Sequence, residues 1–180
     1  VNAICGSPVK LTASFNKSWS PMKSPVNTQL NAVFFTDSVN GWIVGSGGVI
    51  LKYNGKEWIK QTSSTSNELN SLFFTDTLNG WAVGSNGTIL KYDGINWTTQ
   101  ASGTTNTLKS VFFVNKNFGW AVGNSGTILK YDGNKWTKVT VNKVEENLNV
   151  VRFSSISDGF IFGDYCDILK YDGTKWTIFE

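Results

Sequence analysis

The sequence contains no histidine and a single arginine, Arg152, against fifteen lysines. These absences exclude a His-dependent catalytic triad, a histidine metal site and an arginine clamp for a carboxylate or phosphate. No apolar run approaches 18 residues, so nothing spans a bilayer as a helix. The net charge is only +3 and is spread along the chain without a basic run, which argues against nucleic acid or a membrane surface as the main partner. Cysteine occurs twice, at Cys5 and Cys166, and proline three times, of which Pro21 and Pro25 suit an edge strand or its exit.

Aromatic residues are what the chain has in excess, with eight tryptophans and twelve phenylalanines. Most fall at fixed repeat positions. The stretch from Gly80 to Trp97 returns almost letter for letter from Gly119 to Trp136, with looser copies from Gly41 to Trp58 and from Gly159 to Trp176. The leucine that opens the apolar run before each copy stands at 30, 69, 108 and 148, a period of 39, 39 and 40 residues. Self-similarity near 40 residues marks a propeller or a solenoid.

One repeat reads strand by strand. Leu69 to Phe74 is a short apolar run, and the Asn-Gly turn at Asn79-Gly80 leads into Trp81-Ala82-Val83. A second Asn-Gly turn at Asn86-Gly87 precedes the strand Thr88 to Tyr92, and Asp93-Gly94 turns into a fourth strand opening at Trp97. Four short strands joined by hairpin turns make one antiparallel sheet, which must bury its aromatic faces against neighbours. The expected fold is all-β, a β-propeller of four-stranded antiparallel blades. An open solenoid is the alternative.

Tryptophans 19, 58, 97, 136 and 176 mark five blade ends, so the expectation is five blades, the first lacking its first strand, or else part of a larger propeller. Their bounds are about 1–25, 30–63, 69–102, 108–141 and 148–180, in a single domain. A chain of 180 residues buries roughly 70% of its unfolded surface, enough to fold unaided.

The pattern Gly-Trp-Ala-Val-Gly-x-x-Gly-Thr-Ile-Leu-Lys-Tyr-Asp-Gly-x-x-Trp resembles the Asp-box, or bacterial neuraminidase repeat, propellers. It is similar in particular to the photosystem II assembly-factor-like (Ycf48-like) repeats of secreted bacterial proteins. The resemblance covers nearly the whole chain and implies an exported bacterial protein. It names the blade rather than the task, because such propellers serve as glycosidases, lectins and docking scaffolds. One departure stands out. The family box places a residue between its Asp and Gly, whereas Asp93-Gly94, Asp132-Gly133 and Asp172-Gly173 are adjacent and Asn54 replaces the first Asp.

Sialidases of this resemblance use an arginine cluster, which one arginine cannot supply. Most acids sit at repeated turn positions, where Asp is favoured by its own backbone hydrogen bonds, so a two-carboxylate glycosidase is disfavoured as well. The expectation is therefore no enzyme, no cofactor and no metal site. Asp158, Asp164 and Asp167 cluster in the last repeat but lack the loop spacing of a calcium motif. The function expected is non-catalytic binding of a protein partner by an exported scaffold. The alternative is a multivalent lectin with one sugar site per blade interface.

A protein partner needs an asymmetric surface, so the divergent last repeat supplies the candidates. They are Arg152, Phe160 in place of the repeated tryptophan, and Asp164, Tyr165 and Asp167 in place of the Ser-Asn-Gly-Thr turn. The closing tryptophans, and the tyrosines of the repeated Lys-Tyr pairs, are expected to pack between blades, with each lysine at a wet blade edge. Cys5 and Cys166 lie near the two ends of the array, where a closed ring makes neighbours, and are the candidates for a disulfide that ties it.

Overall fold

The computed structural model describes residues 21–179. Four sheets of four antiparallel strands follow one another along the chain, each in simple sequential order. Blade one holds β1 (Leu30–Phe35), β2 (Gly41–Gly45), β3 (Ile50–Tyr53) and β4 (Trp58–Gln61). Blade two holds β5 (Leu69–Phe74), β6 (Gly80–Gly84), β7 (Ile89–Tyr92) and β8 (Trp97–Gln100). Blade three holds β9 (Leu108–Asn115), β10 (Phe118–Gly123), β11 (Thr127–Tyr131) and β12 (Trp136–Val139). Blade four holds β13 (Leu148–Ser155), β14 (Asp158–Gly163), β15 (Ile168–Tyr171) and β16 (Trp176–Ile178). The expected incomplete blade over 1–25 lies, up to residue 20, outside the described residues, and so does Cys5 of the expected disulfide.

The first strands pack side by side, β1 against β5, β5 against β9 and β9 against β13. The blades therefore converge on their first strands and fan outward to the fourth, the radial arrangement of a propeller. Strand alternation gives each blade two apolar faces. In blade one, Trp42, Val44 and Ile50 share the face turned toward blade two. That face meets Leu69, Leu72, Phe74, Tyr92 and Trp97 of the next blade in one buried cluster. The same set recurs between blades two and three and between three and four. Trp42 stacks on Phe74 at 3.9 Å, and Trp81 stacks on Phe113 at 3.6 Å. Each interface joins residues about forty apart, so no blade buries its core alone.

Two local devices hold this register. Each first strand bulges after its leading leucine, at Asn31, Asn70, Lys109 and Asn149. A bulge re-aims a side chain. Here the Asn31 amide donates to the Leu69 carbonyl and the Asn70 amide to the Leu108 carbonyl, both at 2.9 Å. The second device is the glycine before each second-strand aromatic. A Cβ on Gly80 would lie 2.3 Å from the Phe74 ring, so the phenylalanine folds over a place only glycine leaves open.

The turn Asp-Gly-x-x-Trp explains the shortened box. The Oδ1 of Asp93, Asp132 and Asp172 accepts the N–H groups two and three residues on, at 2.7–2.9 Å. Asn54 does the same with its amide oxygen, at 2.9 Å to both N–H groups. The turn needs an oxygen acceptor, not a charge.

The lysines sit differently from expectation. Lys52 and Lys91 are half-buried at blade interfaces, each donating to the hydroxyl of the next blade's tyrosine, Tyr92 or Tyr131, at 3.2 Å. Their ammonium groups lie 5.4–5.6 Å from the flanking tryptophan and tyrosine rings. A four-carbon stem covers apolar surface while its head finds a polar partner, which draws lysine inward.

Candidate functional site

Blade four differs from the others because nothing described packs on its second face. Register places Arg152 opposite Phe160 and Phe160 opposite Lys170, and places Val150 opposite Phe162 and Phe162 opposite Ile168. All six residues therefore share one face by register, although the Arg152 head group turns to the inner edge. Phe179 joins them through its N–H, which donates to the Ile168 carbonyl at 2.7 Å. Phe160 lies 6.3 Å from Phe162 and 6.1 Å from Phe179, with the Lys170 ammonium 5.6 Å from its ring. Phe162 is 44% exposed, where its counterparts Val44, Val83 and Val122 are fully buried.

The inner edge of the array carries an aromatic ladder that ends on this face. Phe34 and Phe73 lie 5.1 Å apart, and Phe73 and Phe112 4.7 Å apart. Arg152 takes the fourth rung, its guanidinium 5.9 Å from the Phe112 ring. It also donates to the Val151 carbonyl at 2.7 Å and to Ser110 Oγ at 3.4 Å.

The turn candidates form a second group, at the rim. Asp164–Cys166 is a short 3-10 turn after β14, with Tyr165 in the left-handed region at φ 51° and 86% exposed. The same position holds Gly47, Asn86 and Ser125 in the other blades, residues that tolerate that conformation or are small. An exposed tyrosine there brings a ring to the solvent at a backbone cost. Asp164 is held by the Asn149 amide at 2.6 Å and the Asn147 amide at 2.9 Å, while Lys109 donates to Asn149 Oδ1 at 2.8 Å. Those amides and the nearby Lys109 charge keep the Asp164 carboxyl below its ordinary value. Asp167 closes the turn through its N–H to the Asp164 carbonyl at 3.1 Å.

The structure thus divides the sequence-derived candidates. Arg152 and Phe160 are cross-strand partners, Phe160 on the open face and the Arg152 guanidinium turned to Ser110 and Phe112 of blade three at the inner edge, whereas Asp164, Tyr165 and Asp167 belong to the turn beyond the far end of β14. Asp158 stands at the opposite end of that strand, bonded to Ser154, so the three acids do not converge. Among the described residues no three side chains of metal-binding type come together. The sequence reading missed Val150, Phe162 and Phe179. They replace Ala32, Ser71 and Ser110, then Val44, Val83 and Val122, then Gln61, Gln100 and Val139. The signal was present as three substitutions at face-sharing positions, each placing a larger apolar side chain there than the other repeats carry.

The second-strand tryptophans Trp42, Trp81 and Trp120 are 0–1% exposed, so their rings are not open to a sugar. The clefts between blades are shallow and differ in their walls. One of about 380 Å³ is lined by Phe34, Phe35, Thr36, Asp37 and by Phe74 to Thr77 of the next blade. Its Thr-Asp rim recurs only in blades one and two, because Asn115 and Ser155 take the place of Asp76 in the later turns. No described helix is long and apolar enough to cross a membrane.

No family model and no curated protein sequence matches the chain. Solved structures do. A structure titled YCF48 bound to D1 peptide matches with a TM-score of 0.68 at 17% identity, covering 87% of this chain and 55% of that one. YCF48 from Cyanidioschyzon merolae matches with a TM-score of 0.68 at 21% identity, covering 82% of this chain and 52% of the other. The likeness shows the β-propeller fold that the repeats resemble. The chain spans about half the length of these propellers.

Proposed function

We propose that this protein is a non-catalytic, exported scaffold that binds a protein partner through its fourth blade. The observation that carries this reading is the contrast in exposure at one repeat position. Phe162 stands 44% exposed where three equivalent valines are buried, in a blade that also presents Tyr165 to solvent. A cluster of phenylalanines flanked by Arg152 and Lys170, with an exposed tyrosine at its rim, has the composition of a protein-binding surface. A structure of the same fold is titled as bound to a peptide, which agrees with a protein ligand for this one. The absence of histidine and the turn positions of most acids support the non-catalytic part of this reading.

The test is capture from the exported fraction of the source cells with the purified chain. Wild type is expected to retain one protein at fixed stoichiometry. Replacing Asp164-Tyr165-Cys166-Asp167 by Ser-Asn-Gly-Thr should lose it while the blade stays folded. Unchanged capture by that variant, or saturable binding to a glycan array without a protein partner, overturns the reading.

A further inference from the structure

An asparagine followed by glycine is prone to lose its side-chain amide, because glycine puts no Cβ between its own nitrogen and the asparagine Cγ. The chain carries four such pairs, Asn40-Gly41, Asn54-Gly55, Asn79-Gly80 and Asn86-Gly87. Attack on Cγ requires the asparagine to rotate and the glycine to move with it. The surroundings of the four pairs therefore rank them.

Three of the glycines, Gly41, Gly80 and Gly87, are buried. A Cβ at Gly41 or Gly80 would run into the Phe35 or Phe74 ring, and one at Gly87 into the Thr104 carbonyl oxygen. The amides of Asn40 and Asn79 are also tied to both oxygens of Asp37 and Asp76 at 2.9–3.0 Å, and the Asn86 amide donates to Asn67 at 3.2 Å. Rotation at these sites unpacks a strand end or lifts the linker between two blades. Gly55 is different. It is exposed, and its nearest neighbour is the side chain of Val39, itself exposed. Asn54 leaves its turn by releasing two bonds alone, from the Lys56 and Glu57 N–H groups. Asp93, Asp132 and Asp172, at the same place in the other blades, are exposed as well, so access belongs to the turn and not to the blade's place in the array.

We infer that Asn54 is a site of spontaneous deamidation in the folded protein, where the first blade's turn is converted to the aspartate turn of the other three. The Gly55 nitrogen attacks Asn54 Cγ, forming a C–N bond, and the Cγ–Nδ2 bond breaks. The Gly55 amide proton leaves with that nitrogen as ammonia, and a five-membered succinimide remains. Water then opens the ring. Attack at Cγ gives aspartate, whereas attack at the main-chain carbonyl gives isoaspartate. Water is the one co-reactant.

The other blades show what the aspartate product does. A carboxylate oxygen at this place accepts the same two N–H groups at 2.7–2.9 Å, so aspartate at position 54 restores the turn. Isoaspartate lengthens the main chain by a methylene and loses that spacing. The reaction also stops at aspartate, because a carboxylate is a poorer electrophile than an amide. Asp93, Asp132 and Asp172 are held ionised by the hydrogen bonds they accept in their turns, which lower each carboxyl from its ordinary value. Conversion gives all four turns a carboxylate and lowers the chain's net charge of +3 by one.

The experiment ages the purified 180-residue chain at mildly alkaline pH, folded and in parallel unfolded in urea, and follows each Asn-Gly peptide by mass spectrometry. In the folded chain Asn54 should convert at least about tenfold faster than Asn40, Asn79 or Asn86, and in urea the four rates should fall within about threefold of one another. On ion exchange a species from the aged folded chain should co-elute with the Asn54→Asp variant, with tryptophan fluorescence unchanged. Equal rates in the folded chain, or Asn86 leading, would overturn the ranking by burial. Asn54 that converts in urea and stays intact in the folded chain would mean that its two turn bonds protect it, and would overturn the inference. An aged sample with no species co-eluting with Asn54→Asp would overturn the restored turn.

Discussion

Blades two and three are nearly the same sheet twice, whereas blade four keeps the backbone and changes one face. Between blades two and three, Trp81, Val83 and Ile89 disappear under the next blade's Leu108, Val111 and Phe113. In blade four the same stations hold Phe160, Phe162 and Ile168, and nothing described lies over them. The first face of blade four is nonetheless ordinary, with Leu148, Val151 and Ile161 fully buried. One sheet therefore has a face built to the repeat and a face released from it. Its strands carry the blade pattern through their hydrogen bonds, and side chains on alternate residues diverge without disturbing it. A repeat array can acquire an asymmetric surface in this way at little cost to the fold.

The largest expected effect separates the two faces directly. Trp81→Ala removes a fully buried ring stacked at 3.6 Å and should cost about 3–5 kcal/mol in urea unfolding. Phe160→Ala at the same station of blade four should cost about 1 kcal/mol when measured at low protein concentration. Equal losses would mean that the blade-four face is covered in the folded chain.

A smaller contrast lies in the glycines that end the second strands. A Cβ on Gly84 would lie 1.9 Å from the Glu68 carbonyl oxygen, whereas on Gly163 its nearest neighbour, the Asn147 oxygen, is 2.9 Å away. Backbone cannot retreat as a flexible side chain can. Gly84→Ala should therefore destabilise by about 1–3 kcal/mol, and Gly163→Ala by visibly less. Thermal melts of the two variants decide it, and a reversed order would break the comparison.

Much of this was legible before any coordinates. The forty-residue period, the four strands per repeat and the propeller followed from spacing alone, because an apolar alternation and its turn residues are local signals. Arg152 and Phe160 were visible as departures from the repeat. The rest of their face was not, since Val150, Phe162 and Phe179 are ordinary apolar residues singly and become a patch only when cross-strand register puts them side by side. The lysines misled for a related reason. A charged residue beside a buried tyrosine reads as solvent-facing, and only the next blade, forty residues on, supplies the hydroxyl that draws it in. The bulge at Asn31 and Asn70 likewise has no signature within one repeat, because its partner is a carbonyl of the next.

Exchanging the turn at Asp164 to Asp167 for Ser-Asn-Gly-Thr sharpens the comparison at the rim. The exchange returns asparagine to the left-handed position that Tyr165 occupies and removes the bonds that Asp164 accepts from Asn147 and Asn149. Gain and loss oppose one another, so stability should stay within about 0.5 kcal/mol of wild type in denaturant unfolding. A loss well beyond that would make the turn part of the fold, and its divergence would no longer point to a partner.

The smallest effect is a dependence on acid that distinguishes the turn before the fourth strand in blade one from the same turn in the other three blades. Asp172 has its carboxyl drawn down to about 2, first by the Thr174 hydroxyl and then by the Lys175 and Thr174 N–H groups. Asp93 and Asp132 are lowered as well, by the N–H groups of Asn96 and Ile95 and of Lys135 and Asn134. Asn54 makes the same turn in blade one with nothing to protonate. A carboxyl lowered by folding binds fewer protons in the folded chain than in the unfolded one between its two values. Its contribution is thus complete above the ordinary value of 3.8 and is lost as pH falls toward about 2. The variant carrying Asp93→Asn, Asp132→Asn and Asp172→Asn gives every blade the uncharged turn of blade one. It should melt like wild type at neutral pH and lose less of its melting temperature on acidification through that window. Parallel curves for the two proteins would show that these three carboxylates do not carry the acid response of the blades.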